Sequence, residues 1–200
     1  MTVQQAIERL RERSPLPLFV VQVWDQDLAG RLRSASPEQL FGGQPARDRR
    51  AAAGVVAGLH LWNDDFTAAH MLAQGLHDAT GSYWHSLCHR REGHRGEGLA
   101  ANLGNARYWN RQTGAHPAHD PVYRAALSVL DSAGPGLSWA AEAADELRRR
   151  HRWDPDLIVG WFGEADAGAL PAAAQELLQE IQWREIDLLV DWCLQRALEG

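Results

Sequence analysis

The chain contains no lysine: all 20 of its Lys+Arg positions are arginine. A Schiff-base lysine and the lysine of a phosphate-binding loop are therefore excluded. Cysteine is nearly absent as well. Cys88 and Cys193 stand far apart, so neither a disulfide framework nor a cysteine-based zinc site is available, and a reduced, cytoplasmic setting is the simpler expectation. No apolar run approaches the ~20 residues of a membrane span, so no membrane is expected as a partner. The stretch from Met1 to Arg13 carries Glu8 and Glu12 and no cleavage pattern follows it, so it reads as neither a secretion nor a transit signal. No segment alternates with period two. A serine-nucleophile elbow, a nucleotide-binding glycine loop and a paired-cysteine motif are all missing.

What remains is helical. An apolar fraction of 45% over 200 residues suits one domain with a real core. The formal charge of −6 argues against a broad nucleic-acid surface, which needs concentrated positive charge. Val3, Ile7 and Leu10 predict a helix over 2–12, stopped by Ser14-Pro15-Leu16-Pro17. The apolar run Leu18 to Trp24 suits a strand or a buried helix, and without a partner strand nearby it is read as helix. Ser36-Pro37-Glu38 reads as an N-cap with proline at the first helical position. Further helices are expected over 46–63, from Asp64-Asp65 to about His77, and over 83–92 behind a Thr80-Gly81-Ser82 cap. After a loop from Gly93 to Gly104, another is expected over 105–112. Pro121, Ser138, Asp154-Pro155 and Pro171 each open one more, with Gly134-Pro135-Gly136 as a stop between the first two of these. The expected class is all-α: a compact bundle of helical hairpins with a long C-terminal helix. It forms one domain over 1–200, divided into an N-terminal extension (1–44), a histidine-rich hairpin core (45–119) and C-terminal helices (120–200).

Eight of the nine histidines fall between His60 and His119. In the run from Trp84 to Gly93, positions 85, 89 and 92 are spaced i, i+4, i+7 and stack on one helical face. His85, His89 and Glu92 are thus the candidate acid–base or catalytic groups. A metal would need further ligands, for which His70, His116 and Asp64 are candidates beside His85 and His89; imidazole with carboxylate suits a divalent transition metal such as zinc, iron or manganese. Ser86 stands where the zinc-protease motif has its glutamate, so that motif is not present. Gln74, one turn after His70, extends the same polar stripe. The ordinary alternative is that one histidine caps a neighbouring helix and Glu92 pairs with an arginine. Arg90 is a candidate for orienting a carboxylate or phosphate, with solvation at a helix end as the alternative. Asn105, Tyr108 and Trp109 are ligand-binding candidates, with Asn105 as an N-cap and Trp109 as core the plainer readings. The Arg148–Arg152 cluster tempts as a phosphate patch, but a charged helix end explains it more simply. The nine tryptophans are spread along the helices and suit core and interface filling.

The pair of stretches Leu59 to Gln74 and His89 to Trp109 read alike, as helix pairs joined at an acidic or glycine-containing turn. With Trp84, Gly93, Ala106 and Pro117 they resemble the tetratricopeptide class of hairpin repeats, which implies helical-hairpin geometry over about 60 residues. Leu61-Trp62-Asn63-Asp64, Ala69-His70, Gln74, Thr80 to His85, His89-Arg90-Arg91-Glu92, Asn105-Ala106, Tyr108-Trp109 and His116-Pro117 resemble the core of an uncharacterised family of small all-helical bacterial and fungal proteins. That resemblance implies a fold and no activity. Two functions from different classes follow. One is a His/Arg/Glu-lined polar pocket that takes a small polar or anionic ligand, with or without a metal ion. The other is a non-catalytic hairpin module that binds a partner protein through its tryptophans and final helix.

Overall fold

The computed structural model describes residues 1–134 and 136–200. Among the described residues there are eleven helices and no strand: α1 (Val3–Arg11), α2 (Gln26–Ser34), α3 (Pro37–Leu40), α4 (Arg49–Trp62), α5 (Phe66–Gly75), α6 (Ala79–Glu92), α7 (Leu99–Thr113), α8 (His119–Asp131), α9 (Ser138–Arg150), α10 (Pro155–Asp166) and α11 (Ala172–Glu199). No helix among them is long and apolar enough to cross a membrane. The Gly134-Pro135-Gly136 stop falls between α8 and α9, with Pro135 outside the described residues.

Local chemistry explains most of the ends. Thr2 and Gln5 form a reciprocal capping box at α1. The Ser36 hydroxyl accepts the Gln39 amide N–H at the start of α3. Asp48 and Asp154 each accept two amide N–H groups, at α4 and α10, and Pro155 follows at the first helical position. Gly114, at φ +59°, ends α7.

Three expectations are corrected. Residues 18–24 form no helix. The segment is an irregular strap whose amide groups bond outward: the Val20 N–H donates to the Arg91 carbonyl and the Trp24 N–H to the Asn63 carbonyl. It places Leu16 in one core and Leu18 in another. Helix α6 begins at Ala79, not Tyr83, because the Asp78 carboxylate accepts the Gly81 N–H at 2.8 Å. Gly81 therefore lies within the first turn, where a Cβ would meet the Leu76 carbonyl oxygen at 2.2 Å. Helix α7 starts at Leu99, so Asn105 is an interior residue and caps nothing. The helix-favouring Leu99-Ala100-Ala101 opens it, and Asn102 ties it back by donating to the carbonyls of Gly93 and Arg95.

Packing divides the apolar residues into two clusters. The first gathers α1, α2, α4, α5, α6 and the C-terminal half of α11; the second gathers α7 to α10 and the N-terminal half of α11. Because Val3, Ala6, Ile7 and Leu10 are fully part of the first cluster, residues 1–44 contribute to the core and do not merely extend from it. Helix α11 runs through both clusters, with Ala174, Leu178 and Ile181 in one and Ile186, Leu189 and Val190 in the other. Gly58 is required where α4 meets α6 and α11, since a Cβ there would lie 2.6 Å from both Trp84 and Val190. Helices α4, α5, α6 and α7 pack consecutively, which sets the histidine-bearing faces of α5 and α6 against each other.

Candidate metal centre

His70 from α5 and His85 and His89 from α6 converge. One nitrogen of each ring lies within 4.8 Å of the other two. The closest pair is His70 Nε2 and His85 Nε2 at 2.8 Å, so one of these nitrogens donates a proton and the other accepts it. The His85 and His89 rings, one helical turn apart, are stacked with centroids 5.0 Å apart and 14° between planes. His70 stands edge-on to both, at 4.5 and 5.1 Å. Two aromatic rings brace the set: Trp109 of α7 stacks on His85 at 4.0 Å and Phe66 stacks on His70 at 5.5 Å.

Burial holds all three imidazoles in the neutral form. His85 is pushed down to about 3 by desolvation, with further contributions from His70 and His89. Desolvation lowers His70, helped by His89 and opposed by Glu92; it also lowers His89, opposed by Glu97. Burial raises Glu92 above the usual carboxylate range, against the pull of His70 and Arg95. Neutral imidazole is the form that binds a metal ion.

Glu92 supplies the orienting contact. Its Oε2 lies 3.1 Å from His89 Nδ1, so the protonated Nδ1 donates to the carboxylate and Nε2 keeps its lone pair. A carboxylate behind a ligating histidine is the usual arrangement at metal centres, fixing tautomer and ring angle. Zinc with three nitrogens at about 2.0–2.1 Å needs donors roughly 3.3 Å apart. The observed separations, from 2.8 Å to at most 4.8 Å, bracket that spacing. Three protein ligands also leave one tetrahedral position for water or substrate.

Other candidates lie elsewhere. His116 is engaged by its own loop: Nδ1 accepts the Ala118 N–H at 3.1 Å, and Nε2 therefore donates to the Thr80 hydroxyl at 3.2 Å. The structure does not bring it to the other three rings, because its ring packs on Tyr83 and Trp192. Arg90 turns into the interior, where it donates to Glu185 at 2.6 Å and lies over the Phe162 ring, so it cannot orient a ligand at the histidines. Asp64 is held between Arg13 and Arg91 and is no metal ligand. Gln74 is exposed, Tyr108 is half-exposed with its edge on Trp109, and Asn105 is half-buried on the same face of α7 as Trp109. The Arg148, Arg149 and Arg150 side chains are paired with Asp131, Asp145, Glu146 and Asp154, as a charged helix end requires.

One participant, Phe66, escapes the reading of the sequence. Phe66 precedes His70 by four residues, and that i, i+4 relation was the available signal. Trp109, a ligand-binding candidate in the sequence with core as the plainer reading, is half-buried and stacks on His85. Three surface cavities of about 450, 560 and 620 Å³ lie in other parts of the molecule, and none is lined by His70, His85 or His89. The first is largely apolar, between α2–α3 and α4. Comparison of the chain with family models, curated proteins and solved structures finds no match.

Proposed function

We propose that the protein binds one divalent transition-metal ion through His70, His85 and His89, with Glu92 orienting His89. The observation that carries this reading is the convergence of three neutral imidazole nitrogens within 4.8 Å across two helices. A structural pair of histidines needs one hydrogen bond, here His70 to His85; a third ring, His89, edge-on to His70 and stacked on His85, has no such need to meet. A bound ion would take the place of the proton between His70 and His85, the donor ring carrying that proton on Nδ1 instead. An ion held by the three nitrogens would suit activation of a water molecule or polarisation of a bound anion, and Trp109 stacks on one of its ligands, His85. The substrate is then a small polar or anionic molecule. The residues that carry the resemblance to the uncharacterised helical family include Ala69-His70, Trp84-His85 and His89 to Glu92, and so include all three ligands. We assign the protein to the cytoplasm, in keeping with two buried, free thiols.

Elemental analysis of protein purified without a histidine tag tests the proposal. About one equivalent of zinc, iron or manganese is expected. The His85→Ala and His89→Ala variants should carry less than about one-tenth of that, and His116→Ala should carry the same as the parent. Less than one-tenth of an equivalent in the parent, together with failure to take up added metal, would overturn the reading.

A further inference from the structure

The three-histidine centre has one polar neighbour that the fold leaves uncommitted. Helices α6 and α7 run antiparallel, and three contacts fix their register. His85 stacks on Trp109, Ser86 donates to the Asn110 side-chain oxygen, and the Gly93 carbonyl accepts from Asn102. Residue 89 lies midway between 85 and 93, so its counterparts across the interface are residues 105 and 106. Ala106 is fully buried and fills the space between the helices. Asn105 is half-buried and shares one edge of α7 with Trp109, a turn away. Asn105 therefore stands to His89 as Trp109 stands to His85.

The other asparagines of this helix have structural tasks. Asn102 donates to the carbonyls of Gly93 and Arg95, and Asn110 bonds to both Ser86 and Asp156. The Asn105 amide has no hydrogen-bond partner among the described residues, and neither of its polar atoms is enclosed. Asparagine is disfavoured inside a helix unless its side chain has work to do, and here it neither caps nor ties. Access to the centre is narrow: His85 is 4% exposed, and the side chains of His89 and Glu92 are 14% exposed each. An ion held by three neutral imidazoles keeps its positive charge, so what reaches it through that opening is small and favoured to be anionic.

We propose, building on the metal-binding reading, that the ion's fourth position takes a small planar oxyanion of the size of formate and that the Asn105 amide N–H donates to it. One oxygen of the anion meets the ion, and the second is free to accept the amide proton. A neutral donor orients the anion without adding a charge to the site. Asn105 is thus a ligand-positioning residue that leaves the ion itself to the three histidines.

Visible absorption of the untagged protein loaded with one equivalent of cobalt(II) tests this, with formate as the probe at fixed ionic strength. Formate is expected to shift the cobalt bands saturably, and benzoate, too large for the opening, to leave them unchanged. Asn105→Ala, which favours the helix, should take up cobalt as the parent does and bind formate about tenfold more weakly or worse. Asn105→Asp should bind formate more weakly still, because its carboxylate repels the anion, and Arg111→Ala should match the parent. Failure of the parent to take up cobalt would overturn the three-histidine centre and this inference with it. Normal cobalt uptake with no response to formate by about 100 mM, or with equal formate affinity in Asn105→Ala, would overturn the role of Asn105 and leave the metal centre standing.

Discussion

Helix α6 carries two polar clusters on different faces, and the contrast between them separates structural from available chemistry. On one face Arg91 is fully buried and its terminal nitrogens are satisfied by the chain, though its Nε has no partner among the described residues: it donates to the Leu61 carbonyl and to Asp64 at 2.6 Å each, and to the Pro17 carbonyl at 3.2 Å. Arg90 is closed in the same manner by Glu185, which also accepts from Tyr83 and Trp153. On the other face His85 and His89 find mainly each other, His70 and one carboxylate. The arginine side is closed by buried ion pairs with Glu185 and Asp64, and each guanidinium keeps one unpartnered Nε. The histidine side is joined within itself by one ring-to-ring hydrogen bond, His70 to His85, and by the contact of Glu92 with His89. The lesson concerns residues adjacent in sequence: His89, Arg90 and Arg91 are turned about 100° from one to the next, which is enough to give neighbours unrelated tasks.

That contrast can be broken experimentally, most severely on the arginine side. Arg91→Ala leaves Asp64 with only Arg13, exposes buried carbonyls and opens a cavity, so a loss of roughly 3–5 kcal/mol is expected, read by denaturant unfolding of metal-free protein. His85→Ala removes a ring stacked on Trp109 and should cost roughly 1–2 kcal/mol in the same measurement, while abolishing metal uptake. If the two losses were equal and metal uptake survived in His85→Ala, the two faces would not differ in kind.

The smallest effect is on acid stability. Folding lowers the affinity for protons of His60, His70, His85, His89, His116 and His119, chiefly through burial. The unfolded chain therefore binds more protons than the folded one below the ordinary histidine value of 6.5. Stability contributed by these groups is present above that value and is lost as the pH falls toward the folded values, about 4 for His116 and about 3 for His85. Metal-free protein should lose thermal midpoint steadily from pH 6.5 downward, and His85→Ala should lose it less steeply. A flat profile through that interval would place these rings in solvent.

Much of the fold was legible because its signals are local. The absence of period-two alternation excluded strands, and Ser36, Asp154-Pro155, Pro171 and Gly114 marked helix ends through chemistry within a few residues. Misreadings occurred where the deciding partner is distant in sequence. The 18–24 strap looks helical by composition, yet its amides bond to Asn63 and Arg91. Arg90 at a helix end resembles a solvated charge until Glu185, 95 positions later, is brought beside it. Asp64 looked available until Arg13 and Arg91 enclosed it. The i, i+4 spacing revealed that His85 and His89 share a face, but the ring that completes the set comes from another helix, and nothing within α6 distinguishes His70 from His116.

Zinc titration into chelator-stripped, untagged protein, followed by calorimetry, addresses the convergence of His70, His85 and His89 most directly. The account predicts one site per chain with a dissociation constant at or below about 1 μM, lost by about a hundredfold or more in each of His70→Ala, His85→Ala and His89→Ala and retained in His116→Ala. Zinc binding that is absent, or that survives all three substitutions, would contradict it.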